Sequence, residues 1–276
     1  MSEKFVQVKG KKMNTYISGE GESCIVFLSG SGVSFPILEY SDFVNGLAKS
    51  NKVVMIEKFG YGLSDITDEN RDVDAVIEEY RAVIKQMDIH MPVSLIAHSM
   101  GFIEALRWAQ LYPSEISTLI GLDPASPEHY KSFNIEQALD GIVYMSTNDE
   151  MRAGFIESIL GRLQDKHKCS EAELKRYREI LEKTVANKVW ISEAENLRAN
   201  INLVEENGLV ERPTLFFISN GEGTSLPTEI WRNHALDYLE KIEIKDYKLL
   251  DCSHTFDGAD IDEIIDVINK FLTQYK

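Results

Sequence analysis

The fold is decided by the stretch PVSLIAHSMG at residues 92–101. Its first part is a mostly apolar run, typical of a strand buried on both faces of a parallel sheet. Apolar residues then recur at helical spacing through residues 100–110. Ser99 stands between the two, and small residues, Ala97 and Gly101, flank it. Because a nucleophilic serine on a sharp strand-to-helix turn needs small neighbours, the stretch predicts Ser99 as a nucleophile.

Strands and helices alternate on both sides of this stretch. Strand-like runs lie at 5–10, 13–19, 23–30, 51–60, 116–124, 213–221 and 246–254. Helical spacing marks 73–87, 228–241 and a last segment with Ile261, Ile264, Ile265, Ile268 and Leu272 on one face. This order predicts an α/β fold with a mostly parallel central sheet, right-handed crossovers and helices on both faces.

The alternation stops between about 126 and 210. This segment has no strand-like run, is rich in Glu, Lys and Arg, and contains amphipathic helical patterns. We therefore expect a core made of residues 1–125 and 211–276, interrupted by a helical cap at 126–210. Its apolar side chains, among them Phe155, Ile159 and Leu160, either shape a substrate pocket or pack the cap onto the core.

The net charge, the cysteines and the lack of long apolar runs limit the kinds of ligand and the cellular location that we expect. The 276 residues carry a formal net charge of -16, which disfavours nucleic acid and anionic lipid as ligands. The partner we expect is a small-molecule substrate, about which the charge says nothing. Cys24, Cys169 and Cys252 form no CxxC pair, and the N-terminal residues lack a signal-peptide pattern. No apolar run approaches the ~20 residues that span a bilayer. We expect a cytoplasmic protein, and nothing in the sequence indicates its oligomeric state.

A second motif is the turn Ser29-Gly30-Ser31-Gly32 at the end of a predicted strand. Glycines let the backbone approach a ligand, so the amides of Ser31 and Met100 could bind an oxyanion together. A dinucleotide loop would need a third glycine where Phe35 stands. P-loop and zinc-protease motifs are also absent, so we expect neither a cofactor nor a metal.

A third motif is Asp251-Cys-Ser-His254, just before the last helix. Histidine titrates near pH 6.5, so His254 is suited to accept the serine proton as a general base. The position of His98 next to the serine suggests a structural role. Four further histidines, His90, His129, His167 and His234, are expected at the surface.

These motifs together resemble the α/β-hydrolase superfamily along nearly the whole chain. The resemblance rests on SGSG at 29–32, EKFGYGLS at 57–64, AHSMG at 97–101 and DCSH at 251–254. It implies an α/β-hydrolase fold with a helical cap after the sixth strand, and a triad in the order nucleophile, acid, histidine. Relatives that open epoxides or displace halide have an aspartate at the elbow, where this chain has Ser99. Two departures are Ala97 for the usual glycine and Ser29 for the usual histidine.

The acid of the implied triad has two candidate positions. Asp123, in the segment GLDPA at 121–125, matches the position that supplies the acid in lipases of the pancreatic type, although Asp-Pro is also a good turn for local reasons. Glu222 lies after the next strand, near the other family position, where Thr224 stands in place of an aspartate. We favour Asp123 and keep Glu222 as the alternative. Asp251 is expected to point away from His254.

The resemblance implies a serine hydrolase that works through an acyl-enzyme. A carboxylesterase acting on small to medium uncharged esters is the expected function. A peptidase or C–C bond hydrolase could use the same triad, and a non-catalytic protein that binds a small molecule in the same pocket is a further alternative.

Overall fold

A computed structural model describes residues 2–21 and 23–275. Eight strands form a single sheet in the order β1-β2-β4-β3-β5-β6-β7-β8. They are β1 (Ser2–Val8), β2 (Lys11–Ser18), β3 (Cys24–Leu28), β4 (Lys52–Ile56), β5 (Val93–Ser99), β6 (Ile116–Pro124), β7 (Thr214–Ile218) and β8 (Lys245–Leu249). β2 is antiparallel to both of its neighbours, and the pairs from β4 to β8 are parallel. The predicted mostly parallel sheet is confirmed.

Helices cover both faces of the sheet. They are α1 (Pro36–Glu39), α2 (Ser41–Leu47), α3 (Val73–Gln86), α4 (Gly101–Leu111), α5 (Ile135–Thr147), α6 (Asp149–His167), α7 (Glu171–Thr184), α8 (Lys188–Glu206), α9 (Thr228–Leu239) and α10 (Ile261–Gln274). The apolar faces of α3, α4 and α9 pack on one side, and those of α2 and α10 on the other. The central strand β5 has apolar side chains on both faces, because Leu95 and Ala97 join the first layer while Ile96 joins the second.

Helices α5 to α8 form an insert between β6 and β7. Its helices share an apolar cluster that includes Ile159 and Leu160 and packs against Tyr61 of the core. The ring of Tyr61 stacks on that of Trp190 with 5.9 Å between centroids. The predicted helical insertion is therefore confirmed, while the exact division of the chain at 126 and 210 stays a prediction.

The last strand is shorter than the sequence suggested. β8 ends at Leu249, and the chain from 250 to 260 is a loop rather than the strand expected up to 254. The main-chain N–H of His254 donates instead to the carbonyl oxygen of Glu222 at 2.9 Å. Because β8 stops pairing with β7 at Leu249, the loop that follows can turn back over the carboxyl ends of the strands. This turn brings His254 to that edge of the sheet.

Candidate active site

Ser99 occupies a strained turn between β5 and α4. Its φ is +50°, a left-handed conformation that a non-glycine residue seldom adopts. The turn packs so closely that a Cβ on Gly101 would lie 2.8 Å from the carbonyl oxygen of Ser29. A Cβ on Gly30 would come within 3.0 Å of the Ser99 Cβ. These close approaches explain why glycine occupies both positions, and they hold the Ser99 hydroxyl above the sheet.

His254 links Ser99 to a carboxylate. The Ser99 Oγ and His254 Nε2 are 2.9 Å apart, and His254 Nδ1 lies 2.5 Å from Asp123 Oδ2. With the proton on Nδ1, the ring donates to Asp123 and leaves Nε2 free to accept from the serine hydroxyl. The structure thus brings the three residues predicted for the triad, Ser99, His254 and Asp123, into one hydrogen-bonded chain.

A β-bulge places Asp123 beneath the histidine. His98 pairs with Leu122 and Ser99 with Pro124 across β5 and β6, so Asp123 has no partner opposite it. Its φ of +45° is again left-handed. Because of this extra residue, the Asp123 side chain does not point to one face of the sheet as strand side chains normally do. Its carboxylate points instead toward the carboxyl-terminal edge of the strands, where His254 lies.

The carboxylate of Asp123 is fully buried, and each of its oxygens accepts two hydrogen bonds. Oδ1 accepts from the Ser219 amide at 2.6 Å and from Trp231 Nε1 at 2.9 Å, and Oδ2 also accepts from Ser219 Oγ at 2.6 Å. Burial by itself raises the pKa of Asp123, but the hydrogen bonds from His254, Ser219 and Trp231 outweigh it and lower the pKa below its usual value. Asp123 is therefore ionised at neutral pH.

The alternative acids lie elsewhere. The side chains of Glu222 and Asp251 are exposed, and neither carboxylate hydrogen-bonds the His254 ring in the part of the chain that is described. Glu222 meets His254 only through its main-chain carbonyl. Of the two candidate acids, Asp123 and not Glu222 is thus hydrogen-bonded to the His254 ring.

Two main-chain amides are free to bind an oxyanion. Ser31 and Met100 both line the cavity that contains Ser99. Within residues 2–21 and 23–275, neither amide donates to a protein acceptor. Met100 immediately precedes α4, so its N–H lies at the positive end of the helix dipole. The two residues predicted for the oxyanion hole thus lie in the wall of the same cavity as Ser99.

His98 holds the loop of His254. Its Nε2 is 2.9 Å from the His254 carbonyl oxygen, and its Nδ1 is 2.7 Å from the Tyr40 hydroxyl. Because a carbonyl only accepts, Nε2 carries the proton and Nδ1 accepts from Tyr40. Burial lowers the pKa of His98 to about 3, so the ring is neutral at physiological pH. The sequence predicts a structural role for His98 but does not indicate Tyr40 as its partner.

His129 was expected at the surface, and this was wrong. It lies buried in a short 3-10 helix, Pro127–Lys131, with Nδ1 bonded to Ser126 and Nε2 donating to the Trp231 carbonyl oxygen at 3.0 Å. Burial lowers the pKa of His129 to about 4. The residue is hidden because the 3-10 helix packs on α9, a tertiary contact that its polar sequence neighbours do not reveal.

Two cavities meet at Ser99 and His254. The first, of about 330 Å³, is mostly apolar. Its wall includes Met100, Ala125, Phe133, Ile135, Ile142 and Leu197. The second, of about 560 Å³, lies under α6 and is lined in part by Phe155, Ile159, Arg162 and Lys166. Phe155 and Ile159 line this cavity, and together with Leu160 they also pack in the apolar cluster of the insert.

A buried charge cluster fixes the insert to the core. Lys58 Nζ lies 2.9 Å from Glu104 on α4 and 3.2 Å from Glu193 on α8. Burial alone lowers the pKa of Lys58, but these two carboxylates raise it above its normal value. The sequence placed Lys58 in a motif without indicating these partners.

Among residues 2–21 and 23–275, no group of three or more His, Cys, Asp or Glu side chains is placed to hold a metal ion. Within the same described ranges, no helix is long and apolar enough to cross a membrane. The three cysteines are free thiols.

Comparison with known sequences gives a partial match. No protein-family model matches the chain. Over 130 residues it is 38% identical to the uncharacterized protein YbdG of Bacillus subtilis, a match that covers 47% of this chain and 40% of YbdG. The chain thus spans about two fifths of the length of that relative.

Comparison with solved structures covers almost the whole chain. The enol-lactonase from Burkholderia xenovorans LB400 superposes with a TM-score of 0.73 and 18% identity, over 98% of this chain and 100% of that one. The epoxide hydrolase VrEH1 from Vigna radiata gives a TM-score of 0.75 and 17% identity, over 99% of this chain and 98% of that one. At such low identity, these likenesses are evidence for the fold.

Proposed function

Because the chain has the α/β-hydrolase fold, we propose that it is a serine hydrolase in which Ser99 is the nucleophile, His254 the general base and Asp123 the acid of the triad. The observation that carries the proposal is the continuous hydrogen-bonded chain from Ser99 Oγ through His254 to the ionised Asp123. The amides of Ser31 and Met100 complete the machinery as the oxyanion hole.

The reaction follows from this arrangement in two halves. His254 Nε2 takes the Ser99 proton while Oγ attacks the substrate carbonyl carbon, and the negative oxygen that forms is bound by the two amides. His254 then gives the proton to the leaving group as the carbonyl re-forms. Water, deprotonated by the same nitrogen, releases the acid product from the acyl-enzyme. Asp123 stabilises the imidazolium throughout without accepting its proton.

The proposed substrate is a carboxylic ester. The apolar cavity beside Ser99 suits an acyl chain or an alcohol of small to medium size. The structural likeness to an enol-lactonase is consistent with this class, since a lactone is a cyclic ester. Ser99 argues against epoxide or halide chemistry, since the relatives that perform those reactions have an aspartate nucleophile.

The test compares three carbonyl substrates of the same acyl chain: a p-nitrophenyl ester, a p-nitroanilide and a β-diketone. We expect turnover of the ester to exceed that of the other two, and Ser99→Ala to abolish it. Ser253→Ala is the matched control, because Ser253 shares the loop of His254 but bonds Thr255 instead. Faster cleavage of the anilide or diketone would move the function to a peptidase or C–C hydrolase. Binding of all three without turnover would favour the non-catalytic alternative.

A further inference from the structure

The second cavity holds an unusual set of charges. Arg162 and Lys166 line it from α6 and Glu39 lines it from α1, so two cations face one carboxylate. Asp42, Asp165 and Asp257 lie in the lining of an adjoining outer cleft and not of this cavity. The remaining titratable side chains in the wall are Tyr40, His98 and His254. Cations therefore outnumber carboxylates in the wall of this cavity, in a chain with a net charge of -16.

Arg162 has unused hydrogen-bonding capacity. Its Nη2 donates to Glu39 Oε1 at 2.8 Å. A guanidinium carries five N–H donors, and the other four of Arg162 reach no protein acceptor in the described part of the chain. Lys166 stands one helical turn away, with Nζ 3.2 Å from the Glu39 carbonyl oxygen and 3.9 Å from Asp42. Donors thus remain available to a ligand in the cavity.

The same cavity reaches the reacting residues, since Ser99 and His254 are part of its wall. We infer that it binds a carboxylate carried by the ester itself, with Arg162 as the principal contact and Lys166 as a supporting charge. This inference rests on the proposed ester hydrolysis and names its substrate class: an ester with one apolar portion, placed in the first cavity, and one portion that bears a carboxylate. This charged ester takes the place of the uncharged ester expected from the sequence. The planar fork of arginine matches two carboxylate oxygens at once.

Glu39 competes with that ligand for Arg162. Burial raises the pKa of Glu39, and the charges of Arg162 and Lys166 oppose that rise. The Glu39 carboxylate holds the guanidinium in place, and a substrate carboxylate has to share it. Glu39→Gln removes the competing charge while preserving the shape, so this variant binds the anionic ester more tightly. A purely structural Arg162–Glu39 pair predicts no such gain.

The test uses two matched pairs of esters. p-Nitrophenyl hydrogen glutarate and p-nitrophenyl pentanoate differ by a terminal carboxylate on the acyl chain. 4-Carboxyphenyl and 4-carbamoylphenyl pentanoate differ in the same way on the leaving group. We expect at least one anionic ester to have the lower KM of its pair. Arg162→Gln should raise that KM roughly tenfold, the loss of one charge-assisted hydrogen bond, and change the neutral partner less than twofold. Glu39→Gln should lower the same KM.

Arg178→Gln is the control for these variants, because Arg178 pairs with Glu157 on the surface of the same insert and does not line the cavity. It should leave all four KM values unchanged. Equal effects of Arg162→Gln on the anionic and neutral esters, or no preference for an anion in either pair, overturn the inference.

A binding measurement separates this inference from the proposed function. Calorimetry with Ser99→Ala, alone and combined with Arg162→Gln, records the affinity for the same esters without turnover. Arg162-dependent binding of an anionic ester in a protein that hydrolyses none of the four supports the carboxylate site and contradicts the hydrolase. Hydrolysis without Arg162-dependent binding supports the hydrolase and contradicts the carboxylate site.

Discussion

His98 Nε2 donates a 2.9 Å hydrogen bond to the carbonyl oxygen of His254, so the residue beside the nucleophile holds the loop that carries the base. The other ring nitrogen of His98 accepts from the hydroxyl of Tyr40, whose oxygen is also 3.4 Å from the Gly30 amide in the oxyanion turn. A single chain of hydrogen bonds therefore connects three loops that the proposed reaction requires. Through this chain, His98 and Tyr40 position the reacting groups, and neither takes part in the proposed proton transfers.

We expect His98→Ala to lower kcat by about tenfold with little change in KM, because the His254 loop loses its anchor. His98→Gln carries an N–H that can reach the same carbonyl, and it should recover most of the loss. Steady-state kinetics of both variants with one ester tests this. If alanine and glutamine are equally impaired, packing of the ring rather than the hydrogen bond is what matters.

Stability should fall at mildly acidic pH because of His98 and His129. Burial lowers the pKa of His98 to about 3 and that of His129 to about 4, from 6.5. Protonation therefore favours the unfolded chain, and the stability present above pH 6.5 is lost as the pH falls toward these values. For His98 the loss at pH 4.5 is roughly 2–3 kcal/mol.

Urea unfolding of the unmodified protein and of His98→Gln at pH 7.5 and 4.5 measures this effect. The variant lacks one titrating group, so its free energy of unfolding should drop less between the two pH values. An equal drop in both proteins would mean that His98 takes up a proton in the folded protein as readily as in the unfolded chain, so that its pKa is not lowered by folding.

Asp123→Asn should reduce kcat by roughly four orders of magnitude, because the amide favours the wrong histidine tautomer. Glu222→Gln should leave kcat unchanged, since that side chain is exposed and does not contact the His254 ring. Both kcat values are measured with the same ester, after circular dichroism has established that each variant is folded. The opposite ranking would assign the acid to the loop after β7.

Lys58→Met should destabilise the fold by about 3–5 kcal/mol, because it leaves the buried carboxylates of Glu104 and Glu193 without their shared cation. Lys188→Met is the control, since Lys188 pairs at the surface with Asp68 and its loss should change stability little. Urea unfolding at pH 7.5 compares the two. Similar small losses in both variants would mean that the Lys58 cluster contributes no more than a surface pair.

The sequence was sufficient for the features that depend on local pattern. The apolar run before Ser99, the small residues beside it and the order of strands predicted the sheet and the strand-to-helix turn, because each follows from steric rules acting over a few residues. Asp123 could be proposed because GLDPA at 121–125 resembles the segment that supplies the acid in lipases of the pancreatic type. His254 could be proposed from the chemistry of histidine and its place in the chain just before the last helix.

Contacts between residues far apart in the sequence could not be predicted from local pattern. Tyr40 and His98 are 58 positions apart, and Lys58 and Glu193 are farther still. Nothing near Asp123 in the sequence marks the bulge that turns its carboxylate toward His254, and nothing near His129 reveals that its helix is covered. These features arise when whole elements pack together, so only the folded chain displays them.

The central claim is that Ser99 is an activated nucleophile, and labelling with a fluorophosphonate probe tests it most directly. The unmodified protein, Ser99→Ala and Ser253→Ala are treated in parallel, and the modified peptide is located by mass spectrometry. We predict a covalent adduct on Ser99 in the unmodified protein and in Ser253→Ala, and none in Ser99→Ala. A folded protein that forms no adduct, or one that is labelled equally after Ser99→Ala, would contradict the account.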